Sequence, residues 1–155
     1  MNIRPYRPED REVLKAITGR TFGAVSIDGN IEKLFGRLNG TDWAWRKRRQ
    51  IDQDCDAQPD GILVAEEQGR VIGYITTRLD PATKLGWIPN LAVEPEFQGR
   101  GIGRQLIEAA LELFRQRGMS HAKIETLEQN RVGQKLYPSL GFQEVARQIH
   151  YVMKL

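Results

Sequence analysis

Cysteine is almost absent from this sequence. Cys55 is the only one among 155 residues, so no disulfide can close within them, and a disulfide-stapled secreted scaffold is excluded. The two histidines, His121 and His150, are too few and too far apart in sequence for a zinc cluster, and no metal centre is expected. No window holds the roughly 18 to 20 apolar residues that a membrane span needs. The opening Met1-Asn2-Ile3-Arg4-Pro5-Tyr6-Arg7 lacks the apolar core of a secretory signal. These absences point to a cytoplasmic protein with no membrane partner. Charge of one sign is also lacking: 23 Lys and Arg stand against 20 Asp and Glu, evenly mixed along the chain, which leaves no footprint for nucleic acid. What remains, 40% apolar and 28% charged residues over this length, suits one domain spanning residues 1–155 with a real core.

Hydrophobic periodicity outlines the elements. Ile3 to Arg7 reads as a strand, and Pro8-Glu9-Asp10 opens a helix with Val13, Leu14 and Ile17 on one face. From Thr21 to Pro59 the pattern supports helical pieces with uncertain ends. Ile62 to Ala65 and Val71 to Ile75, separated by Gln68-Gly69-Arg70, form a hairpin. Leu85 to Val93 is a third apolar run, but Pro89 within it cannot donate a ladder hydrogen bond, so a bulge or edge is expected there. Ile102, Leu106, Ile107, Ala110, Leu113 and Phe114 make the apolar stripe of the best helix, which Gly118 ends. Ala122 to Leu127 is expected as a strand and Arg131 to Leu140 as a short helix. Phe142 to Val145 and Ile149 to Met153 are expected as two closing strands. The whole reads as an α/β domain with a mixed sheet and covering helices.

The strongest chemical signal is the run Asn90-Leu91-Ala92-Val93-Glu94-Pro95-Glu96-Phe97-Gln98-Gly99-Arg100-Gly101-Ile102-Gly103-Arg104. It carries a strand through a glycine-rich turn into the best helix. Glycine lets backbone approach a ligand, and the first N–H groups of a helix lack intrahelical partners and sit at its positive end, so this layout suits a phosphate or pyrophosphate. A P-loop would need Gly-Lys-Ser/Thr and a dinucleotide fingerprint Gly-x-Gly-x-x-Gly, and the loop contains neither.

Gln98-Gly99-Arg100-Gly101-Ile102-Gly103 resembles the Gln/Arg-x-x-Gly-x-Gly/Ala signature of the GNAT superfamily of N-acetyltransferases. Leu91-Ala92-Val93-Glu94-Pro95 resembles the strand before it, and Asn130 to Phe142, with Leu136-Tyr137-Pro138-Ser139-Leu140-Gly141-Phe142, resembles the family's second block. The resemblance implies a mostly antiparallel mixed sheet of six to seven strands with about four helices and splayed fourth and fifth strands. It implies acetyl-CoA as cosubstrate, its pantetheine arm along Leu91, Ala92 and Val93, and its pyrophosphate on the N–H groups of Gln98, Gly99, Arg100, Gly101, Ile102, Gly103 and Arg104. Acetyl would pass directly to an amine, without an acyl-enzyme. Tyr137 would protonate the leaving thiolate, as a phenol near pKa 10 can, and Pro138 departs from the acidic residue found in many relatives. Asn130 would bond the pantetheine or cap the following helix.

A lysine-like amine is about one part in two thousand neutral at pH 7, so a base matters. Glu125 is the leading candidate: it precedes Tyr137 by the spacing of the enzymes that acetylate a ribosomal N-terminal alanine, with Glu128 or a water chain as alternatives. Cys55, among Asp52, Asp54 and Asp56, is expected to be an ordinary thiol. The same aspartates with Asp60 fail as a calcium loop, because Ala57 and Leu63 replace the required glycine and glutamate, and a solvated acidic loop is expected. Trp43 to Arg49, aromatics followed by four basic residues, could contact nucleic acid or an acidic partner, but reads rather as a helix with tryptophan inward and charges outward. A non-catalytic acyl-CoA sensor on the same fold is the rival function. The acceptor, a small-molecule amine or a peptide N-terminus, is left open, as are another acyl group and the homodimer common in the family.

Overall fold

In the computed structural model, which describes residues 1–155, two sheets share one split strand. β1 (Asn2–Pro5), β2 (Leu63–Glu67), β3 (Arg70–Ile75) and β6 (Leu91–Val93) form an antiparallel sheet in the order β1-β2-β3-β6. β4 (Arg78–Asp80), β5 (Leu85–Ile88) and β7 (His121–Ile124) form the second, in the order β4-β5-β7, with β5 and β7 parallel. The run Leu85 to Val93 is therefore two strands in two sheets. The break falls at Pro89-Asn90, where proline has no N–H to give.

Five α-helices accompany them: α1 (Arg11–Thr21), α2 (Ile27–Phe35), α3 (Trp43–Ala57), α4 (Ile102–Gln116) and α5 (Arg131–Ser139). That is one more than the expected four, because Thr21 to Pro59 folds into two. Ser26 and Asp42 cap α2 and α3 by accepting from Gly29 N (2.9 Å) and Trp45 N (2.7 Å). No helix is long and apolar enough to cross a membrane.

The core has two layers. Leu14 and Ile17 of α1 and Ile51 and Cys55 of α3 pack on Val64, Val71, Tyr74 and Ala92, while Ile102, Leu106, Ile107, Ala110 and Phe114 of α4 pack on Ala65, Ile72, Ile75 and Ile88. A bulge sorts β3 between them. Ala65 faces Gly73 and Glu66 faces Val71, so Ile72 has no opposite residue and the alternation flips. Gly86 admits α4 closely, since a Cβ there would lie 2.7 Å from the Phe114 ring.

Three expectations are corrected. The closing strands do not form: Gln143 to Leu155 is irregular, exposed throughout, and makes no backbone hydrogen bond. Asp52 to Asp56 is helical, with Asp54 buried, and not a solvated loop. Within α3 the roles are partly inverted: Trp45 is exposed beneath Arg49, whereas Lys47 turns inward over the Phe22 ring.

Candidate active site

Splitting one strand between two sheets leaves an opening at the split. β6 is the last strand of its sheet, so the edge carried by Leu91, Ala92 and Val93 away from β3 pairs with no strand. On that edge the Val93 carbonyl accepts from Gln98 Nε2 at 2.9 Å.

From β6 the chain turns through a short 3-10 helix, Pro95–Phe97, into Gln98 to Gly101 and then α4. Gly99 and Gly101 have φ of +77° and +76°, which residues with a Cβ rarely adopt. A consequence is that the N–H groups of Gly99, Arg100, Gly101, Ile102, Gly103 and Arg104 bond to nothing else in the chain, while that of Gln98 goes to Pro95 O. Six successive donors at the positive end of a 15-residue helix make a cradle for a multiply charged anion. The arginine side chains are held nearby. Arg100 pairs with Glu67 at 2.9 Å and lies over the Phe97 ring, and Arg104 bonds Ser139 Oγ at 2.6 Å.

α5 lies against the start of α4, with Leu136 Cδ2 3.8 Å from where a Gly103 Cβ would be. Asn130 caps α5, accepting from Gly133 N (3.2 Å) and donating to Thr126 Oγ1 (2.8 Å), so its side chain is committed to the helix start. The helix continues through Pro138 to Ser139. Tyr137 packs edge-on against Phe142 at 6.3 Å and joins the rim of the α4 core. Its hydroxyl has no partner in the chain, and burial pushes the phenol above its ordinary range, which keeps it protonated.

Glu125 sits one residue beyond β7, exposed, and accepts from Trp87 Nε1 at 3.0 Å. Together with Gln50, Gln53, Asp54, Arg78, Trp87 and the Pro89-Asn90 break it lines a cleft of about 370 Å³ in which polar side chains stand beside the apolar faces of Trp87 and Pro89. A larger hollow of about 470 Å³ between α1 and α3 shares none of these residues.

The break itself is clamped by groups that sequence reasoning missed. Asn90 N donates to Thr76 Oγ1 (3.1 Å), and Asn90 O accepts from Thr76 N (2.9 Å). In its side chain, Oδ1 accepts from Lys47 Nζ (2.8 Å) and Nδ2 donates to Asp54 Oδ2 (2.7 Å). Asp54 also accepts from Thr76 Oγ1 and from Arg78 (2.8 Å each). Asn90, Asp54 and Thr76 are all buried. Burial lowers the Lys47 pKa, against the pull of Asp28 and Asp54. The signal was present: Lys47, Ile51, Asp54 and Cys55 follow the i, i+4, i+7, i+8 stripe of a buried helix face, two of them charged.

An open strand edge running into a row of free N–H groups has the shape and charge to suit an extended ligand ending in phosphates. Comparison with known proteins narrows the class. Residues 30–142 match the model of the acetyltransferase (GNAT) family, and the chain belongs to that family. A mycothiol acetyltransferase of Thermomonospora curvata is 37% identical over 152 residues, which cover 97% of this chain and 47% of that protein. The [ribosomal protein bS18]-alanine N-acetyltransferase of Haemophilus ducreyi is 36% identical over 87 residues, 55% of this chain and 57% of that one. The chain thus spans about half the length of the curated relatives it matches. Among solved structures, PaiA N-acetyltransferase from Thermoplasma acidophilum in complex with coenzyme A superposes with a TM-score of 0.72 at 20% identity, covering 92% of this chain and 89% of that one, which establishes the fold.

Proposed function

We propose that this chain is an acetyl-CoA-dependent N-acetyltransferase that moves acetyl directly from the thioester to the primary amine of a small molecule or a peptide N-terminus. The observation that carries this reading is the run of unbonded N–H groups from Gly99 to Arg104 beside the open β6 edge. Those donors fit a pyrophosphate, and nothing stands within 4 Å of a Cβ built at Gly99 or Gly101, so the approach is open. The free edge of Leu91 to Val93 suits the amides of a pantetheine arm, which would take the Val93 carbonyl from the Gln98 side chain. Acetyl-CoA supplies an activated acyl carbon. The chain supplies orientation along β6, a protonated phenol at Tyr137 for the departing sulfur, and the Glu125 carboxylate for the proton of the attacking nitrogen. In balance, an N–C bond forms and a C–S bond breaks; an ammonium acceptor loses two protons, each through Glu125 to solvent, Tyr137 gives one to the thiolate and takes one back from solvent, and one proton is released overall.

The acceptor would occupy the cleft at the strand break. Its amides and its carboxylate at Glu125 suit a polar cationic acceptor. The relatives' names, mycothiol acetyltransferase and ribosomal protein alanine N-acetyltransferase, support a small thiol-bearing metabolite and a peptide N-terminus as the first acceptors to try. The test is release of free thiol from acetyl-CoA by the purified chain with a panel of amines and N-terminal peptides, alongside calorimetric titration with coenzyme A. Acceptor-dependent release is expected. Tight binding of coenzyme A with no release by any acceptor would favour the sensor instead.

A further inference from the structure

The opening beside β6 has a far wall, and its position follows from the register of the second sheet. β5 and β7 run parallel, with Ile88 opposite Ile124. Extended past the break, that register would set Leu91 opposite Leu127 and Val93 opposite Gln129. The pairing stops instead, because β7 ends at Ile124 and the chain turns, with Asn130 N bonded to Leu127 O at 2.9 Å and Arg131 N to Gln129 O at 3.1 Å. Residues 127–129 therefore face the open β6 edge across a slot that no strand fills.

The β6 side of this slot is covered by α1, which packs on β3 and β6 and ends at Thr21. The connection from α1 to α2 then reaches the far wall. Gln129 Nε2 donates to Ala24 O at 2.7 Å and to Asn30 Oδ1 at 2.9 Å, and Asn30 Nδ2 donates to Gln129 Oε1 at 3.0 Å. No other hydrogen bond or ion pair joins α1, α2 or their connection to any residue beyond β7. Asn30 and Gln129 are both exposed, so water competes for each amide and the contact can part and re-form at little cost. The turn that carries Gln129 also abuts the phenol. Thr126, Asn130 and Tyr137 converge on Gly133, where a Cβ would lie 2.9 Å from Asn130 Nδ2 and 3.1 Å from both Thr126 Oγ1 and Tyr137 Cε2.

We propose that Asn30 and Gln129 are positioning residues, and that their amide pair is a strap which parts to admit the pantetheine arm of acetyl-CoA into the slot and closes over it. This rests on acetyl-CoA being the ligand of the β6 edge. An arm lying along β6 has main-chain bonds on one side only, so it leaves sideways as readily as it enters unless the other side is shut. The amide pair shuts it without burying apolar surface, which lets it reopen in every turnover to release the spent coenzyme. Closure also fixes the turn against Tyr137, so that seating the thioester and seating its acid are one event.

Asn30→Cys and Gln129→Cys are introduced together and joined by a short bismaleimide, either before or after coenzyme A is added; the unsubstituted chain, whose Cys55 is buried, serves as control. Joined while empty, the protein is expected to take up coenzyme A more slowly by about tenfold or more. Joined with coenzyme A in place, it is expected to retain the ligand through a gel-filtration step that strips the unjoined form. Gln129→Ala is expected to speed coenzyme A release by about tenfold and to raise KM for the acetyl donor more than it lowers kcat, while the urea midpoint stays that of the parent. Uptake and release that neither joining nor Gln129→Ala alters would overturn the strap and leave the acetyl-transfer reading standing. A parent chain and an unjoined double variant that both fail to bind coenzyme A by calorimetry would overturn the two together.

Discussion

Tyr137 and Glu125, the proposed acid and base, differ in their surroundings. Burial raises the Tyr137 pKa and no carboxylate or amine claims its hydroxyl, so it remains a proton donor throughout the neutral range. Tyr137→Phe is expected to lower kcat by about 10²-fold or more while leaving coenzyme A affinity within a factor of two or so, measured by thiol release and calorimetry. Glu125 is in water and oriented by the Trp87 indole. Glu125→Gln is expected to reduce kcat/KM by about 10²-fold for a lysine-like acceptor and by less for an α-amino group, because the latter reaches its neutral form about two and a half pH units lower. The deficit should shrink as pH rises and the amine loses its proton unaided. A deficit independent of pH and acceptor would remove Glu125 from the role of base. At Gly101, with φ at +76°, alanine is expected to cost about 1 to 2 kcal/mol of stability and to weaken coenzyme A binding, read by urea denaturation and calorimetry.

At the level of elements, the feature that matters most is a strand that changes sheets. Pro89 made the break legible in the sequence, because a missing N–H within an apolar run has few structural uses, and the glycine loop announced the α4 cradle through its own chemistry. What stayed illegible was the means of holding the break. Asn90, Thr76, Asp54 and Lys47 come from the break itself, the residue after β3, and α3, and their pairing depends on contacts 14 to 43 residues apart that no local period records. β4 was missed for a related reason: three residues with mixed polarity carry no periodic signal, and they are a strand only because β5 is beside them. The closing strands show the reverse, a clear alternation at Ile149 to Leu155 that finds no partner within the chain. Asn90→Ala would strip one bond each from the Lys47 ammonium and the Asp54 carboxylate inside the protein. It is expected to cost about 2 to 4 kcal/mol by urea denaturation. By loosening the slot it should lower kcat by more than coenzyme A affinity, since small misplacements of reacting groups cost rate steeply.

For the whole molecule, the buried titratable groups set the pH range of the fold. Burial raises the pKa of Tyr74, which bonds Thr18 Oγ1 at 2.7 Å, and of Cys55 and Tyr137. A raised folded value means full stability below the unfolded value and loss as pH climbs through the folded one. Stability is therefore expected to fall above about pH 9 to 10. Lys47 acts in the opposite sense, since burial lowers its pKa, but it is one group against three. On the acid side, burial raises the Asp10 carboxyl pKa, yet its bonds with Arg4 outweigh this and hold it below its usual value, so its contribution is lost as pH falls below about 4. Urea midpoints at pH 3, 7 and 10.5 should show the maximum in the middle; a midpoint still rising at pH 10.5 would contradict this.

Coenzyme A is proposed to bind one continuous surface, from the β6 edge through the Gly99 to Arg104 amides. Titration of ¹⁵N-labelled protein with coenzyme A, followed by amide chemical shifts, tests it most directly. The largest shifts and slowed hydrogen exchange are expected at Leu91 to Val93 and Gly99 to Arg104, with the hollow between α1 and α3 unchanged. Binding that leaves those amides unmoved, or that shifts residues around Lys15, Trp45 and Arg49 instead, would contradict it.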